Sequence, residues 1–345
     1  MTLCDLTLPR KSAMRRLSLP LLLLVALHAP CAAGASLAQV LQEFDHDSHA
    51  DLRAVVVLRD GALVAERYYN GQAQNGLHDM RSAGKSVTAL LIGAAVARGQ
   101  VATTGTVGQY WPEVAGSPAS QVVLDDLLTM RSGLGAFDED AASPGNEDKL
   151  DEAPDPAAFV RGVPAALAPG TVYRYNSLGS YIAGRVVESA SGVDLDTFAG
   201  SVLFAPLGIT RWQWSRDVAG HAKGQGNLSL TPRDMAAIGQ LVLDDGVTNG
   251  RRVIAASWLK AALAPRVAIG ETDRYADHYG YFWYGKSYDV AGEKIGISFA
   301  SGNGGNKIYV IPARRMVVAV ASSAYGKPHG QRRSESILKA LLAAD

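Results

Sequence analysis

Strand-like patterns occur at both ends of this 345-residue chain, whereas helical patterns fill its middle. Between about residues 100 and 265, apolar residues recur mostly at helical spacing. The strand-like segments are 54–58, 62–69, 280–284, 297–300, 307–311 and 316–322. Because isolated strands need partners and a covering layer, we expect the two chain ends to share one sheet. This predicts an α+β fold: an antiparallel sheet built from both chain ends, flanked by the first and last helices, with an inserted, mostly helical domain.

The same pattern divides the chain into an N-terminal extension and two domains. Residues 1–35 are predicted to be an extension with a signal peptide, residues 36–99 and 266–345 the α/β sheet domain, and residues 100–265 the helical domain. Apolar residues make up 48% of the chain, and the basic and acidic residues balance at 33 each, which is typical of an ordinary globular protein. The chain has no basic run interleaved with aromatic residues, so we expect no nucleic-acid partner.

The extension has the features of a secretory signal. Met14 and two arginines precede an apolar stretch at 17–27, and Ala33-Gly34-Ala35 forms a small-x-small cleavage pattern. We therefore predict initiation at Met14, cleavage after Ala35, a periplasmic or secreted location, and no stable membrane association once the signal is removed. Both cysteines, Cys4 and Cys31, precede the predicted cleavage point, so we expect a mature chain without a disulfide or a cysteine-zinc site. The oligomeric state is not indicated.

A polar stretch leads directly into an apolar helical run, and it contains a serine and a lysine three residues apart. Ser82 stands where backbone N–H groups are free and the helix dipole favours negative charge, and Lys85 leaves the same face one turn later. We predict a helix from Ser82 to about residue 98, ended by Gly99. Its buried face would carry Val87, Leu90, Leu91 and Ala94.

This spacing suits a nucleophile and its base. A serine hydroxyl needs a nearby base to react, and a lysine can serve when burial lowers its pKa. The alternative is a capping serine followed by an exposed lysine. The same Ser-x-x-Lys spacing also occurs at Ser257/Lys260 and Ser336/Lys339, so spacing alone does not decide between the two interpretations.

A second segment places a phenol, an amide and a hydroxyl within three residues. Tyr175, Asn176 and Ser177 follow a Pro-Gly turn and precede a helical pattern that starts at about residue 180. A tyrosine on a loop near Ser82 and Lys85 could relay a proton from the nucleophile to the leaving group. The alternative is that Tyr175 is a packed aromatic residue and that Asn176 and Ser177 cap the helix.

A third segment follows a predicted strand and is rich in glycine. Ala300, Ser301, Gly302 and Asn303 precede two more glycines, a composition that marks close approach to the backbone. A substrate carbonyl that reaches the N–H groups of Asn303 and Ser82 would sit in a two-donor oxyanion hole. The alternative is a bulge or a tight turn.

Other catalytic signatures are absent or weak. The sequence contains no Gly-x-Ser-x-Gly elbow, no His-Glu-x-x-His motif and no glycine pattern for phosphates or dinucleotides. His46, Asp47 and His49 could touch a metal, but they lie in a polar segment near the predicted mature N-terminus. We therefore expect neither a metal nor a cofactor.

In order and rough spacing, the three segments resemble the serine β-lactamase and penicillin-binding-protein superfamily. The flanking stretches at 127–134, 227–234 and 249–250 are similar to its class C-like β-lactamase-related branch, which includes 6-aminohexanoate-dimer hydrolase and the family VIII esterases. The resemblance runs from about residue 50 to 322. It implies an antiparallel sheet and a helical domain with the site in the cleft between them.

At matching positions, the resemblance implies a role for each candidate residue. Ser82 would be the acylated nucleophile, with Lys85 and Tyr175 as its base. The remaining candidates would shape the oxyanion and substrate site, and they are Asn176, Ser177, Ser301, Gly302 and Asn303.

Two departures from the superfamily pattern bear on the substrate. Ala300 stands where β-lactamases usually carry a lysine, and Ser177 stands in the last place of the Tyr-x-Asn motif. Both departures favour an esterase or amidase that acts on a small-molecule ester or amide over an efficient β-lactamase. We therefore predict an exported serine hydrolase with an acyl-enzyme intermediate. The alternative is a penicillin-binding-like module that recognises peptidoglycan or a peptide with little turnover.

The segment 135–158 carries eight acidic residues against Lys149 alone. It is either a solvated loop or a border of the cleft. The second interpretation predicts a preference for cationic or neutral acyl donors over carboxylates.

Overall fold

The computed structural model describes residues 36–344. The predicted signal peptide, with Met14 and Ala35, therefore lies outside the described residues. The strands of the described chain are β1 Leu52–Arg59, β2 Ala62–Tyr68, β3 His78–Asp79, β4 Gln213–Trp214, β5 Leu228–Leu230, β6 Val247–Thr248, β7 Arg251–Arg252, β8 Val267–Ala268, β9 His278–Tyr279, β10 Tyr284–Val290, β11 Glu293–Gly302, β12 Asn306–Ile311 and β13 Met316–Ser322.

The main sheet has eight strands in the order β2-β1-β13-β12-β11-β10-β9-β8, and all neighbours are antiparallel. β1 and β2 form a hairpin on Asp60 and Gly61, whose φ angles of 48° and 78° suit the two-residue turn that matches strand twist. β1 then pairs with β13, with Val57 opposite Val318. The predicted sheet from both chain ends is confirmed. Two smaller sheets contain β3-β5-β4 and β6-β7.

Eight of the eleven α-helices of the described chain lie between residues 100 and 265. Their bounds are α1 Leu37–Gln42, α2 Gly84–Ala97, α3 Val107–Tyr110, α4 Leu124–Leu128, α5 Glu147–Glu152, α6 Pro156–Gly162, α7 Ser177–Ser191, α8 Leu195–Ala199, α9 Pro232–Leu243, α10 Ala256–Ala262 and α11 Pro328–Ala344. Among residues 36–344, no helix combines the length and the apolar character that a membrane span needs.

Two helices pack on opposite faces of the main sheet. On one face, Gly239 of α9 contacts the side chains of Val317 and Ile308. Successive strand residues point to opposite faces, which places the Tyr288 side chain on the other face. There its hydroxyl donates to Glu335 of α11. The predicted boundary at residue 265 assigned α9 to the helical domain, but this helix packs on β1, β12 and β13. The apolar face of α9 must be buried, but either a sheet or another helix can cover it, so the sequence pattern of α9 did not reveal which domain it packs on.

Helix α2 is buried on every side, whereas the sequence predicted one buried face. Every residue from Gly84 to Ala95 is buried, because α2 lies among α7, α10 and β11. Trp258 of α10 lies so close to Gly93 that a side chain there would overlap the indole, and its Nε1 donates to the Ala89 carbonyl at 3.0 Å. The helix begins two residues after Ser82, which lies in a preceding 3₁₀ turn, Arg81–Ala83.

Two local predictions differ from the structure. The predicted strand at 280–284 is interrupted, because the Gly280 N–H bonds the Trp283 carbonyl and Phe282 has a φ of 54°. The acidic segment 135–158 is not all loop, since it contains α5. Asn146 starts that helix by accepting the Asp148 N–H at 3.0 Å, which is a standard helix cap.

Candidate active site

Three chain segments that lie far apart in sequence meet at one cleft of about 850 Å³. The 3₁₀ turn Arg81–Ala83 precedes α2, Ser177 starts α7, and Gly302 ends β11. Five of the predicted site residues line this cleft: Ser82, Tyr175, Ser301, Gly302 and Asn303.

Ser82 follows a residue with unusual backbone geometry. Arg81 has a φ of 52°, a region that costs free energy for a residue with a side chain. Asp79 holds this conformation, since its Oδ1 accepts the Arg81 N–H at 2.8 Å and its Oδ2 lies 3.3 Å from the guanidinium. The guanidinium also stacks 4.1 Å from the Tyr325 ring centroid. The turn that presents Ser82 is therefore held by its neighbours.

Lys85 is 2% exposed and makes three hydrogen bonds. Its Nζ donates to the Ser82 Oγ at 3.0 Å and to the Ser177 Oγ at 2.9 Å, and it also donates to the Gln225 carbonyl at 2.7 Å. Three acceptors match the three protons of an ammonium group. The lysine is therefore a buried group in contact with the candidate nucleophile, and it is not the exposed residue of the alternative interpretation.

The pKa of Lys85 differs in direction from the sequence-based expectation. Burial by itself lowers it, but attraction from the phenolate form of Tyr175 and from Glu147 and Asp138 outweighs burial, so the pKa of Lys85 is raised. The expectation of a lowered pKa was wrong because it counted burial alone and left out the opposing effects of Tyr175, Glu147 and Asp138. At neutral pH the amine is protonated in the free protein.

Tyr175 lies beside both groups. Its ring centroid is 5.2 Å from Lys85 Nζ, and its hydroxyl is hydrogen-bonded with the Ser82 side chain. Burial raises the pKa of Tyr175, although Lys85 and the Ser82 hydrogen bond oppose that shift. At neutral pH the phenol is therefore neutral, and either it or Lys85 has to lose a proton before the pair can accept one from Ser82.

The two residues after Tyr175 have different positions. Ser177 is fully buried and accepts its hydrogen bond from Lys85. Asn176 is also buried, but its Oδ1 caps α7 by accepting the Gly179 N–H at 2.7 Å, and its Nδ2 donates to the Arg174 carbonyl at 2.8 Å. Asn176 is not among the residues that line the cleft, so the structure gives its side chain a capping role, and its role in substrate binding stays a prediction. A helix begins there, and capping uses its side chain.

The glycine of the third segment is explained by a backbone contact. A Cβ on Gly302 would overlap the Met80 carbonyl oxygen and lie 3.1 Å from the Ala83 nitrogen, so the end of β11 packs directly on the turn that carries Ser82. Asn303 follows and lines the cleft, while its side-chain Oδ1 accepts the Gly326 N–H at 2.8 Å. The third segment therefore lies beside Ser82. This is the position that the Asn303 N–H needs if it is to donate to a substrate carbonyl together with the Ser82 N–H.

Sequence reasoning missed a cation in this cleft. Lys307 of β12 pairs across the sheet with Ser301, and its Nζ donates to the Ser301 Oγ at 2.7 Å. Ala300 pairs instead with Ile308 and lies on the other face of the sheet. Although Ala300 replaces the lysine that is usual in this motif, the segment therefore still has a cation beside it, the amine of Lys307. Aligning β11 and β12 as a hairpin would have placed Ser301 opposite Lys307.

The acidic segment borders the cleft through Phe137, Asp138, Glu139 and Glu147. Asp138 is connected to the second segment of the site, because its N–H donates to the Tyr175 carbonyl at 3.2 Å. Burial raises the pKa of Asp138 to about 6, although the charge of Lys85 opposes the shift. Of the two interpretations of this segment, the geometry agrees with a border of the cleft.

The chain matches a family model and several known proteins. The model described as Beta-lactamase matches residues 37–342. The 6-aminohexanoate-dimer hydrolase of Paenarthrobacter ureafaciens is 26% identical over 283 residues, which cover 78% of this chain and 72% of the relative.

Two solved structures share the fold. A Bacillus anthracis protein assigned as a 6-aminohexanoate-dimer hydrolase superposes with a TM-score of 0.73 at 21% identity, covering 88% of this chain and 81% of that one. A family VIII carboxylesterase gives a TM-score of 0.66 at 17% identity, covering 88% and 96%. At these identities the structural likeness concerns the architecture alone.

Proposed function

The chain belongs to the beta-lactamase family, and from that membership we propose a serine hydrolase that cleaves small esters or amides through an acyl-enzyme on Ser82. The contact that carries the proposal is the 3.0 Å hydrogen bond between Lys85 Nζ and Ser82 Oγ at the edge of the cleft. A nucleophile within hydrogen-bond reach of its base is the arrangement that covalent catalysis needs. The hydrolase names of the relatives agree with this class of reaction.

The reaction would proceed in two stages. The Ser82 Oγ attacks the substrate carbonyl carbon while its proton passes to the Lys85–Tyr175 pair. The carbonyl oxygen takes up the negative charge and accepts hydrogen bonds from the N–H groups of Ser82 and Asn303. The bond to the leaving group then breaks, and the pair returns the proton to the departing oxygen or nitrogen. A water molecule next attacks the acyl ester, which releases a carboxylic acid and restores Ser82.

The base is proposed as the pair and not as one residue. Both pKa values are raised, so the resting site holds a protonated Lys85 and a neutral Tyr175. Interacting groups of this kind titrate together, and either can carry the exchanged proton. Ser177, which accepts from the same amine at 2.9 Å, would keep Lys85 aimed at Ser82.

Asp138, Glu139 and Glu147 on the cleft border support a preference for cationic or neutral acyl groups in the part of the substrate that contacts them. Export to the periplasm or the medium rests on the sequence of residues 14–35 alone.

A labelling experiment with a matched control tests the nucleophile. The protein, Ser82→Ala and Ser257→Ala are treated with a fluorophosphonate probe and assayed on a panel of short esters, amides and nitrocefin. Ser257 is a good control because it is exposed and shares the Ser-x-x-Lys spacing with Lys260. We expect labelling and hydrolysis to be lost in Ser82→Ala alone. Equal labelling of Ser82→Ala and the unchanged protein would refute the proposal. A stable acyl adduct without product release would favour the recognition module instead.

A further inference from the structure

Lys307 is a lysine buried in the cleft wall. It is 2% exposed, and its Nζ donates to the Ser301 hydroxyl at 2.7 Å. Aromatic rings surround the amine, with the Phe299 centroid at 4.8 Å and the Tyr275 and Tyr309 centroids at 6.0 Å. Both Lys307 and Ser301 line the cleft that contains Ser82. The amine is therefore held in place at the substrate site.

The positive charge of Lys307 has no close counter-charge among residues 36–344. Its hydrogen-bond partner is a neutral hydroxyl, and no described carboxylate forms an ion pair with it within 4.0 Å. Asp273 and Glu335 attract the charge from farther away, while Lys286 opposes it. Buried charges in proteins are normally paired, because desolvation is costly. Burial accordingly lowers the pKa of Lys307 to about 7.

The position of this amine relates it to the reaction. Ser301 directly precedes Gly302, whose backbone packs on the turn that carries Ser82. A substrate group that contacts Ser301 and Lys307 therefore lies close to the nucleophile. Ser301 is half-buried and lines the cleft, and Lys307 retains two further ammonium protons.

We propose that Ser301 and Lys307 form an anion-recognition site, which takes a carboxylate carried by the substrate. The inference rests on the proposed hydrolase function and names a specificity feature within that site. The carboxylate would accept hydrogen bonds from the Lys307 ammonium and the Ser301 hydroxyl, and it would supply the missing counter-charge. For the part of the substrate that contacts β11 and β12, this reverses the preference suggested by the acidic border.

Anion binding at this site requires the protonated form of Lys307. Only protonated Lys307 attracts a carboxylate, so the preference for anions is strongest below about pH 7 and weakens as the pH rises. The other groups that face the amine are Asp273, Glu335 and Lys286 and the rings of Tyr275 and Tyr309. Burial raises the pKa of Tyr309, so its phenol stays neutral over this range.

Binding of an isosteric pair tests the site without requiring turnover. Benzoate and benzamide are titrated calorimetrically into the protein, Lys307→Met, Lys307→Arg and Lys294→Met at pH 6 and pH 8.5. Lys294 is an exposed lysine on the same strand as Ser301, so it controls for the loss of one charge.

We expect benzoate to bind at least about tenfold more tightly than benzamide at pH 6, the size of one charge-assisted hydrogen bond. The preference should shrink at pH 8.5, disappear in Lys307→Met, remain in part in Lys307→Arg and remain in full in Lys294→Met. Equal binding of the two ligands, no binding of either, or a preference that survives Lys307→Met would overturn the inference.

Hydrolysis of a second pair, 3-acetoxybenzoate and 3-acetoxybenzamide, separates this inference from the proposed function. The ratio of kcat/KM for the charged and neutral esters should fall at least about tenfold in Lys307→Met, mainly through a higher KM for the charged ester. A benzoate preference without any ester hydrolysis would refute the function and leave the anion site intact. Hydrolysis with no difference between the charged and neutral members would refute the anion site and leave the function intact.

Discussion

Replacing Lys307 by methionine is expected to stabilise the protein at neutral pH. The pKa of Lys307 is about 7 in the folded protein, whereas the ordinary value for a lysine is 10.5. Between these two values the unfolded chain binds one proton more than the folded chain, so the contribution of Lys307 to stability rises with pH. Below pH 7 its unfavourable contribution is fully present, and it vanishes only as the pH passes 10.5.

The magnitude follows from the shift. At about 1.4 kcal/mol for each pH unit of pKa difference, burying the ammonium costs roughly 4 kcal/mol at pH 7 and roughly 2 kcal/mol at pH 9. Methionine has nearly the volume of lysine, so packing changes little. The lost hydrogen bond to Ser301 costs about 1 kcal/mol or less, because Ser301 lines the cleft and can bond water. The net gain is about 3 kcal/mol at pH 7 and about 1 kcal/mol at pH 9.

Urea unfolding, followed by tryptophan fluorescence at pH 7, 8 and 9, measures this difference. The free energy of unfolding of Lys307→Met minus that of the unchanged protein should fall by about 2 kcal/mol from pH 7 to pH 9. Lys294→Met, which removes an exposed amine from β11, should show no such trend. A difference that is flat with pH, or a variant that is less stable throughout, would show that Lys307 is not desolvated as the structure indicates.

Three further predictions concern the candidate site. Gly302→Ala should lower kcat/KM for a short ester by about 100-fold, because its Cβ would displace the turn that carries Ser82, whereas Gly296→Ala on the same strand meets no atom and should have little effect. Asn176→Ala should lower the free energy of unfolding by about 1 kcal/mol through loss of the α7 cap. If Asn176→Ala instead raised the KM for a short ester more than about tenfold, Asn176 would be a substrate-binding residue. For a neutral ester, kcat/KM should rise with pH above 7, because the pKa values of Lys85 and Tyr175 are both raised and the pair must lose a proton to act. A plateau that begins below pH 7 would contradict this.

Local patterns predicted a large part of the fold. The predicted strands at 54–58, 62–69 and 316–322 and the predicted helix after Ser82 are all present, because the period of their apolar residues depends on the local sequence alone. Errors occurred where neighbours distant in sequence decide the outcome. Periodicity alone did not reveal that α2 is covered on every side.

The same division applies to the candidate site. Helical spacing is enough to bring Ser82 and Lys85 within hydrogen-bond reach of each other, and the alternation of strand residues is enough to predict a sheet from both chain ends. The tertiary structure decided the charge environment: it brought Asp138 and Glu147 towards Lys85, and it buried the Lys307 amine among the rings of Tyr275, Phe299 and Tyr309. Hydrogen bonds within one turn or hairpin depend on nearby residues, so a sequence pattern can reveal them. Desolvation and Coulombic attraction depend on every group within about 10 Å, and folding draws those groups from distant parts of the chain.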